Sequence, residues 1–302
     1  MKKRWGILFL VLALAMSLLT ACQSEPAQKA DPNKIQVAVS FNAMKEFTEA
    51  VGKDKVQVTT LIPDGTEPHE FQPTPREIKA INHAQVLVVN GMGMEPWLDD
   101  AVKAADNKKL ITVKAAQGVT PIILSDPAEK REHGDDDPHT WLSLVNAQIE
   151  VQNIADALAK ADPNNAQYYQ DNAQAYKAQL QQLLAEYQSK FQQARRKDFV
   201  TSHAAFAYLC RDFGLEQKSV EDVFASGEPT SRSLATLIDY SKANHVKTIF
   251  VEEAVSTKTA DTLADEVGAD TKVIHTMESG EGDKTYLDRM KENLAEIYAS
   301  LQ

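Results

Sequence analysis

"DPNNAQYYQDNAQAYKAQLQQLLAEYQSKFQQARRK", residues 162–197, is the longest periodic stretch of the chain. Tyr169, Ala173, Tyr176, Leu180, Leu183, Tyr187 and Phe191 recur at three- and four-residue steps, the spacing of one helix face. Asp162 stands at the N-cap position, Pro163 at the first helical position, and Arg195, Arg196 and Lys197 complement the negative helix end. Some thirty residues at about 1.5 Å each make a rod on the order of 50 Å. A single apolar stripe of that length, lying between two folded bodies, predicts an intramolecular support rather than a coiled-coil arm.

Those bodies read alike. Before the rod, "IQVAVS" (35–40), "VQVTTLI" (56–62), "AQVLVVNG" (84–91) and "LITVKA" (110–115) are strand-like, and Thr74, Pro75 and Glu77 make a capping box for a helix reaching about His83. After it come "DFVTSH" (198–203), "TIFVEEA" (248–254) and "TKVIHTM" (271–277), with helical segments near 204–212, 231–243, 257–267 and 284–300. The fold class expected is α/β: two lobes, each a mainly parallel sheet flanked by helices, joined by one long rigid helix. Ligands of such sheets sit beyond the carboxyl ends of the strands, here in the cleft between the lobes.

The N-terminus carries a different message. Lys2, Lys3 and Arg4 precede the apolar run Ile7–Leu19, too short for a membrane span and right for a signal peptide. "LLTAC" (18–22) resembles a bacterial lipobox, in which Cys22 becomes the lipidated first residue. The expected organisation is a signal peptide over 1–21, a lipid-anchored tether over 22–34, an N-terminal lobe over 35–161, a linking helix over 162–197 and a C-terminal lobe over 198–302. The formal charge of −11 disfavours nucleic acid as a partner, and removing the basic leader makes the remainder more acidic still. With Cys22 lipidated, Cys210 in "AAFAYLC" has no partner and reads as a buried apolar residue.

The seven histidines separate by position. His83 and His245 lie at helix ends, His275 falls inside a strand pattern as a packed or hydrogen-bonded residue, and His133 sits in an acidic loop. His69 in "DGTEPHEFQPTP", His139 in "DDDPHTWL" and His203 at the end of "DFVTSH" lie on proline-stiffened loops or element boundaries, as a preorganised site requires. Three imidazoles favour zinc, copper, nickel or iron over calcium and magnesium. A fourth ligand is open among Glu252, Glu253 and Glu278.

Several of these strings together, "GTEPHEFQPTPREIKAINHAQVLVVNGMGMEPWLDD" (65–100), "DPHTWLSLVNA" (137–147), "VTSHAAFAYLCRDFGL" (200–215) and "TIFVEEAVSTKTADTLADEVGA" (248–269), resemble the metal-binding solute-binding proteins of bacterial zinc and manganese ABC importers, the cluster A-I group. The resemblance runs from about residue 35 to the end. It implies a metal at the lobe interface held by His69, His139, His203 and Glu278, with Glu253 as the fallback for the last. A histidine at position 203 implies the zinc type, with manganese or iron as the alternative cargo. It further implies a monomeric, non-enzymatic lipoprotein on the extracytoplasmic face of the cell membrane that delivers Zn2+ to a permease driven by an ATPase. An adhesin and a zinc-dependent hydrolase are the alternatives of another class. Within "EHGDDDPHTWLS" (132–143), Pro138 and His139 form the ligand motif, and Glu132–Asp137 read as a solvated acidic lead-in.

Overall fold

A computed structural model describes residues 31–125, 127, 130, 134–224, 231–252 and 258–302. The expected signal peptide, Cys22, the tether up to residue 30, His133 and Glu253 lie outside the described residues.

Residues 32–302 hold two four-stranded sheets, each entirely parallel. The first comprises β1 (Ile35–Val39), β2 (Val56–Thr60), β3 (Val86–Val89) and β4 (Ile111–Lys114) in the order β2-β1-β3-β4. The second comprises β5 (Asp198–Thr201), β6 (Glu216–Ser219), β7 (Thr248–Glu252) and β8 (Asp270–Ile274) in the order β6-β5-β7-β8. Central strands are covered on both faces, which is why β3 reads VLVV and β7 TIFVE with every residue buried.

The helices are α1 (Asn42–Gly52), α2 (Pro75–His83), α3 (Leu98–Ala105), α4 (Leu144–Ala161), α5 (Ala166–Gln193), α6 (Ala207–Phe213), α7 (Ser231–Ala243), α8 (Lys258–Val267) and α9 (Tyr286–Ser300). Helix α2 has the expected capping box: Thr74 N–H donates to Glu77 at 2.9 Å, and the Thr74 hydroxyl accepts from the helix. Gly268, at φ +70°, stops α8 in a left-handed conformation.

The rod is α5, 28 residues and about 42 Å long. It starts later than expected. Pro163–Asn165 form a 3-10 turn, and the Asp162 carboxylate accepts from Asn165 Nδ2 (2.6 Å) and the Tyr169 hydroxyl (3.0 Å) instead of capping the helix backbone. It also stops at Gln193, where Lys197 folds back to donate its ammonium to the carbonyls of Phe191 and Gln192, satisfying orphan acceptors of the last turn. The N-terminal half of α5 packs on the first lobe: Asn172 Nδ2 donates to Val51 O at 2.9 Å and Tyr168 OH to Asp54 at 2.7 Å. Its C-terminal half packs on the second, with the Phe191 ring 5.1 Å from Phe213 and 5.9 Å from Tyr298. One apolar core therefore runs through both lobes.

Polar contacts pin the lobes further. Arg289 of α9, fully buried, pairs with Glu46 of α1. Trp141 Nε1–H donates to Thr276 O (2.7 Å), and Tyr286 OH donates to Trp141 O (2.6 Å). Cys210 is buried with a free thiol, as its apolar context suggested.

The Glu46–Arg289 pair yields a prediction. Glu46→Ala leaves a buried guanidinium without its counter-charge, and removing one partner of such a pair costs about 3 kcal/mol or more. Urea unfolding should show that loss; a midpoint equal to the parent's would mean that Arg289 finds solvent.

Candidate metal centre

Four loops leave the carboxyl ends of their strands and converge between the lobes. His69 follows β2 on a loop stiffened by Pro63 and Pro68, which form turns with Thr66 N–H (3.1 Å) and Phe71 N–H (3.3 Å). Its backbone N–H donates to Glu67 at 3.2 Å, its ring lies 5.2 Å from Phe224, and it is 9% exposed.

His139 follows β4 and is fully buried against Trp141, ring to ring at 5.3 Å. Asp137 Oδ1 accepts both its backbone N–H (2.9 Å) and Nδ1–H (3.0 Å). That places the ring proton on Nδ1 and leaves Nε2 as a lone pair directed into the cleft, the usual arrangement of a metal-binding imidazole. The loop is held from behind. Asn90 Nδ2 donates to Pro138 O (2.8 Å), the Thr140 hydroxyl donates to Asn90 Oδ1 (2.8 Å), and Glu95 accepts the N–H groups of Asn90 and Gly91, both at 2.8 Å.

His203 follows β5, buried, with Nδ1 3.1 Å from Glu252 Oε1 and Nε2 2.7 Å from the Val223 carbonyl. Both nitrogens donate in that pose, so the ring is an imidazolium. Glu278 follows β8; one oxygen accepts from the Thr276 hydroxyl at 3.3 Å and the other stands 3.9 Å from His139 Nε2.

The three imidazoles thus come together: one nitrogen of each lies within 4.8 Å of the others. The closest pair is His69 Nε2 and His139 Nε2, 3.3 Å apart. Zinc–nitrogen bonds of 2.0–2.1 Å in a tetrahedron set ligand nitrogens about 3.3 Å apart, so this pair already has the spacing of two zinc ligands. Glu278 lies at the rim of the triad, and Glu252 is committed to His203 rather than turned toward the other two rings.

Burial and charge divide the rings. His139 is pushed well below its ordinary pKa by burial, and further by the neighbouring His203 charge, so it is neutral and able to bind a cation. Burial also opposes charge on His203, but the Glu252 carboxylate, Glu278 and the Val223 carbonyl outweigh it and raise the group to about 10. Burial lifts Asp137 to about 7 against the His139 N–H that favours its anion.

Two residues of the centre escaped the sequence reading in their proper role. Asp137 is 1% exposed and orients His139, so it does not belong to a solvated lead-in. Burial of a residue two before His139 is a tertiary fact, although its place in "DPH" was a local signal. Glu252 figured only as a possible ligand and serves instead as the partner of His203; a carboxylate closing the buried strand TIFVE was the clue.

His203 gives this chain a pH signature. Its folded pKa of about 10 stands above the ordinary value of 6.5, so the Glu252 pairing contributes stability fully below about pH 6.5 and loses it as pH rises through about 10. Metal-free protein should therefore lose thermal stability between pH 7 and 10, and His203→Gln should flatten that slope; an unchanged slope would place the charge elsewhere.

Comparison with known proteins adds the context. The family described as "Zinc-uptake complex component A periplasmic" matches residues 37–300. The high-affinity zinc uptake system protein ZnuA of Bacillus subtilis is 40% identical over 318 residues, covering 100% of this chain and 99% of that protein. The zinc-binding lipoprotein AdcA of Streptococcus pneumoniae is 35% identical over 302 residues, covering 95% of this chain and 59% of that longer protein. Among solved structures, the laminin-binding protein Lmb of Streptococcus agalactiae, titled a bifunctional protein with adhesin and metal-transporting activity, superposes with a TM-score of 0.81 at 34% identity, covering 89% of this chain and all of that one.

Proposed function

Because the chain belongs to the family of periplasmic zinc-uptake component A proteins, we propose that it captures Zn2+ outside the cytoplasm and hands it to an ABC permease powered by a cytoplasmic ATPase. The observation that carries this reading is the 3.3 Å separation of His69 Nε2 and His139 Nε2, the edge length of a zinc tetrahedron. His69, His139, His203 and Glu278 are the proposed ligands, the first two presenting the opening pair. His203 would join by losing its Nε2 proton to solvent and exchanging the Val223 carbonyl for the ion at that nitrogen, while Glu252 keeps Nδ1–H, a carboxylate–histidine–metal arrangement.

Nitrogen donors favour zinc over manganese, which remains with iron the alternative cargo. Four protein ligands leave no open position for an activated water, so the centre is one of carriage rather than catalysis, and the zinc-hydrolase alternative loses its nucleophile. The adhesin alternative draws its support from laminin-binding relatives of Streptococcus agalactiae and Streptococcus pyogenes. We read the chain as a monomer, with 35–161, 162–197 and 198–302 as lobe, linker and lobe, held to the extracytoplasmic face of the membrane through lipid on Cys22 after removal of residues 1–21.

Elemental analysis tests the cargo. Metal-free full-length chain offered zinc and manganese at equal concentration should retain one zinc, and His139→Ala should retain none. Bound manganese would change the cargo, and zinc surviving the substitution would move the site. The anchor is tested separately: Cys22→Ser should shift the chain from the membrane to the soluble fraction, and continued membrane association would refute lipidation at that residue.

A further inference from the structure

The loop that carries His69 and the loop that carries Glu278 come from different lobes, yet they are laced together. Gly280 N–H donates to Asp64 Oδ1 at 2.7 Å, and Gly65 N–H donates to Ser279 Oγ at 2.8 Å. The two bonds are reciprocal, each loop giving one backbone donor and one side-chain acceptor. Asn42 N–H donates to Glu278 O at 3.1 Å, and Arg289 Nη1 donates to Ser279 O at 2.7 Å. The fit is close: a Cβ built on Gly280 would stand 3.3 Å from Asp64 Oδ2 and 3.4 Å from Asn42 Oδ1. Met277, a non-glycine residue directly before Glu278, is held at φ +58°, a left-handed conformation that persists only where surrounding contacts over-determine it.

We infer that Asp64 and Ser279 are positioning residues for metal capture: their reciprocal latch ties Glu278 to the His69 loop, so that Glu278 belongs mechanically to the first lobe although its strand belongs to the second. This rests on the zinc-capture reading above. A glutamate side chain has several rotatable bonds and is an effective ligand only when its backbone is held, which is the task of the groups behind a ligand. The latch fixes the residue on the C-terminal side of Glu278, and Asn42 fixes the Glu278 carbonyl itself.

His203 stands in contrast. The hydrogen bonds of its ring and carbonyl go to Glu252, Val223, Thr201 and Gln217, all residues of the second lobe. His69, His139 and Glu278 therefore form a half-site of fixed geometry, and His203 is the ligand that arrives from the other side. The latch sets the distance between His69 and Glu278 independently of any adjustment around His203.

The test is a double-mutant cycle read by zinc release from the full-length chain into excess chelator. Asp64→Ala should speed release about tenfold, the lower end for groups that orient metal ligands. Asp64→Asn keeps an oxygen that accepts from Gly280 N–H and should restore the parent rate, while Ser279→Ala provides a second route to the same acceleration. In a Glu278→Gln background, Asp64→Ala should add nothing, because the latch acts through that carboxylate. Release at the parent rate from both Asp64→Ala and Ser279→Ala, or effects of Asp64→Ala and Glu278→Gln that simply multiply, would overturn the inference and leave the zinc reading standing. A parent chain that binds no zinc would overturn both.

Discussion

The apolar stripe of α5 is the constraint on which the remaining geometry depends. Tyr176 packs its ring against Phe47 of the first lobe and Phe191 against Phe213 of the second, so one helix is a wall of both lobes and a single core runs through them. A helix packed along its length resists bending, because bending would open apolar contacts on both sides at once. The carboxyl ends of two parallel sheets are thereby held facing one another, and the loops that leave them meet. Glu46–Arg289, Trp141–Thr276 and Tyr286–Trp141 reinforce that orientation at the cleft itself.

Within this frame the three histidines are unequal. His139 is neutral, oriented by Asp137 and backed by the Asn90–Glu95 network, so its lone pair is ready. His203 is an imidazolium shared between Glu252 and the Val223 carbonyl. In the proposed centre His139 Nε2 is the prepared nitrogen, and His203 would bind a cation only by giving up a proton. Metal and proton compete for the same nitrogen, which couples cargo binding to pH. The same competition offers a route for release, since protonation of His203 returns it to partners that are already in place.

Legibility in the sequence varied with how local the cause was. Periodicity over 166–193 identified α5, because a one-sided helix writes its buried face into the chain every three or four residues. Its first turn did not follow the same logic: Asp162 bonds Asn165 and Tyr169 rather than capping the helix backbone, and the start moves to Ala166. Strand β6, Glu216–Ser219, has no apolar pattern and exists through its pairing with Asp198–Thr201. Helix α4, buried through Leu144, Val151, Ile154 and Leu158, lies between the acidic loop and the rod, where its period was overshadowed by both.

For the site, residue type and placement singled out His69, His139 and His203, since stiff loops at strand ends are a local property. Which carboxylate does what was a different matter. Glu252 and Glu278 both follow apolar strands, and only the packing of β7 beside β5 places one on His203, while the lacing of the 275–284 loop to Asp64 and Gly65 places the other beside His139. The sequence alone determined the two α/β halves, the rod between them and the imidazole chemistry, because periodicity and donor softness reside in single segments and single side chains. Tertiary structure decided the 3.3 Å spacing, the charge on each ring and the partners of each carboxylate, because burial and distance arise only when segments far apart in the chain meet.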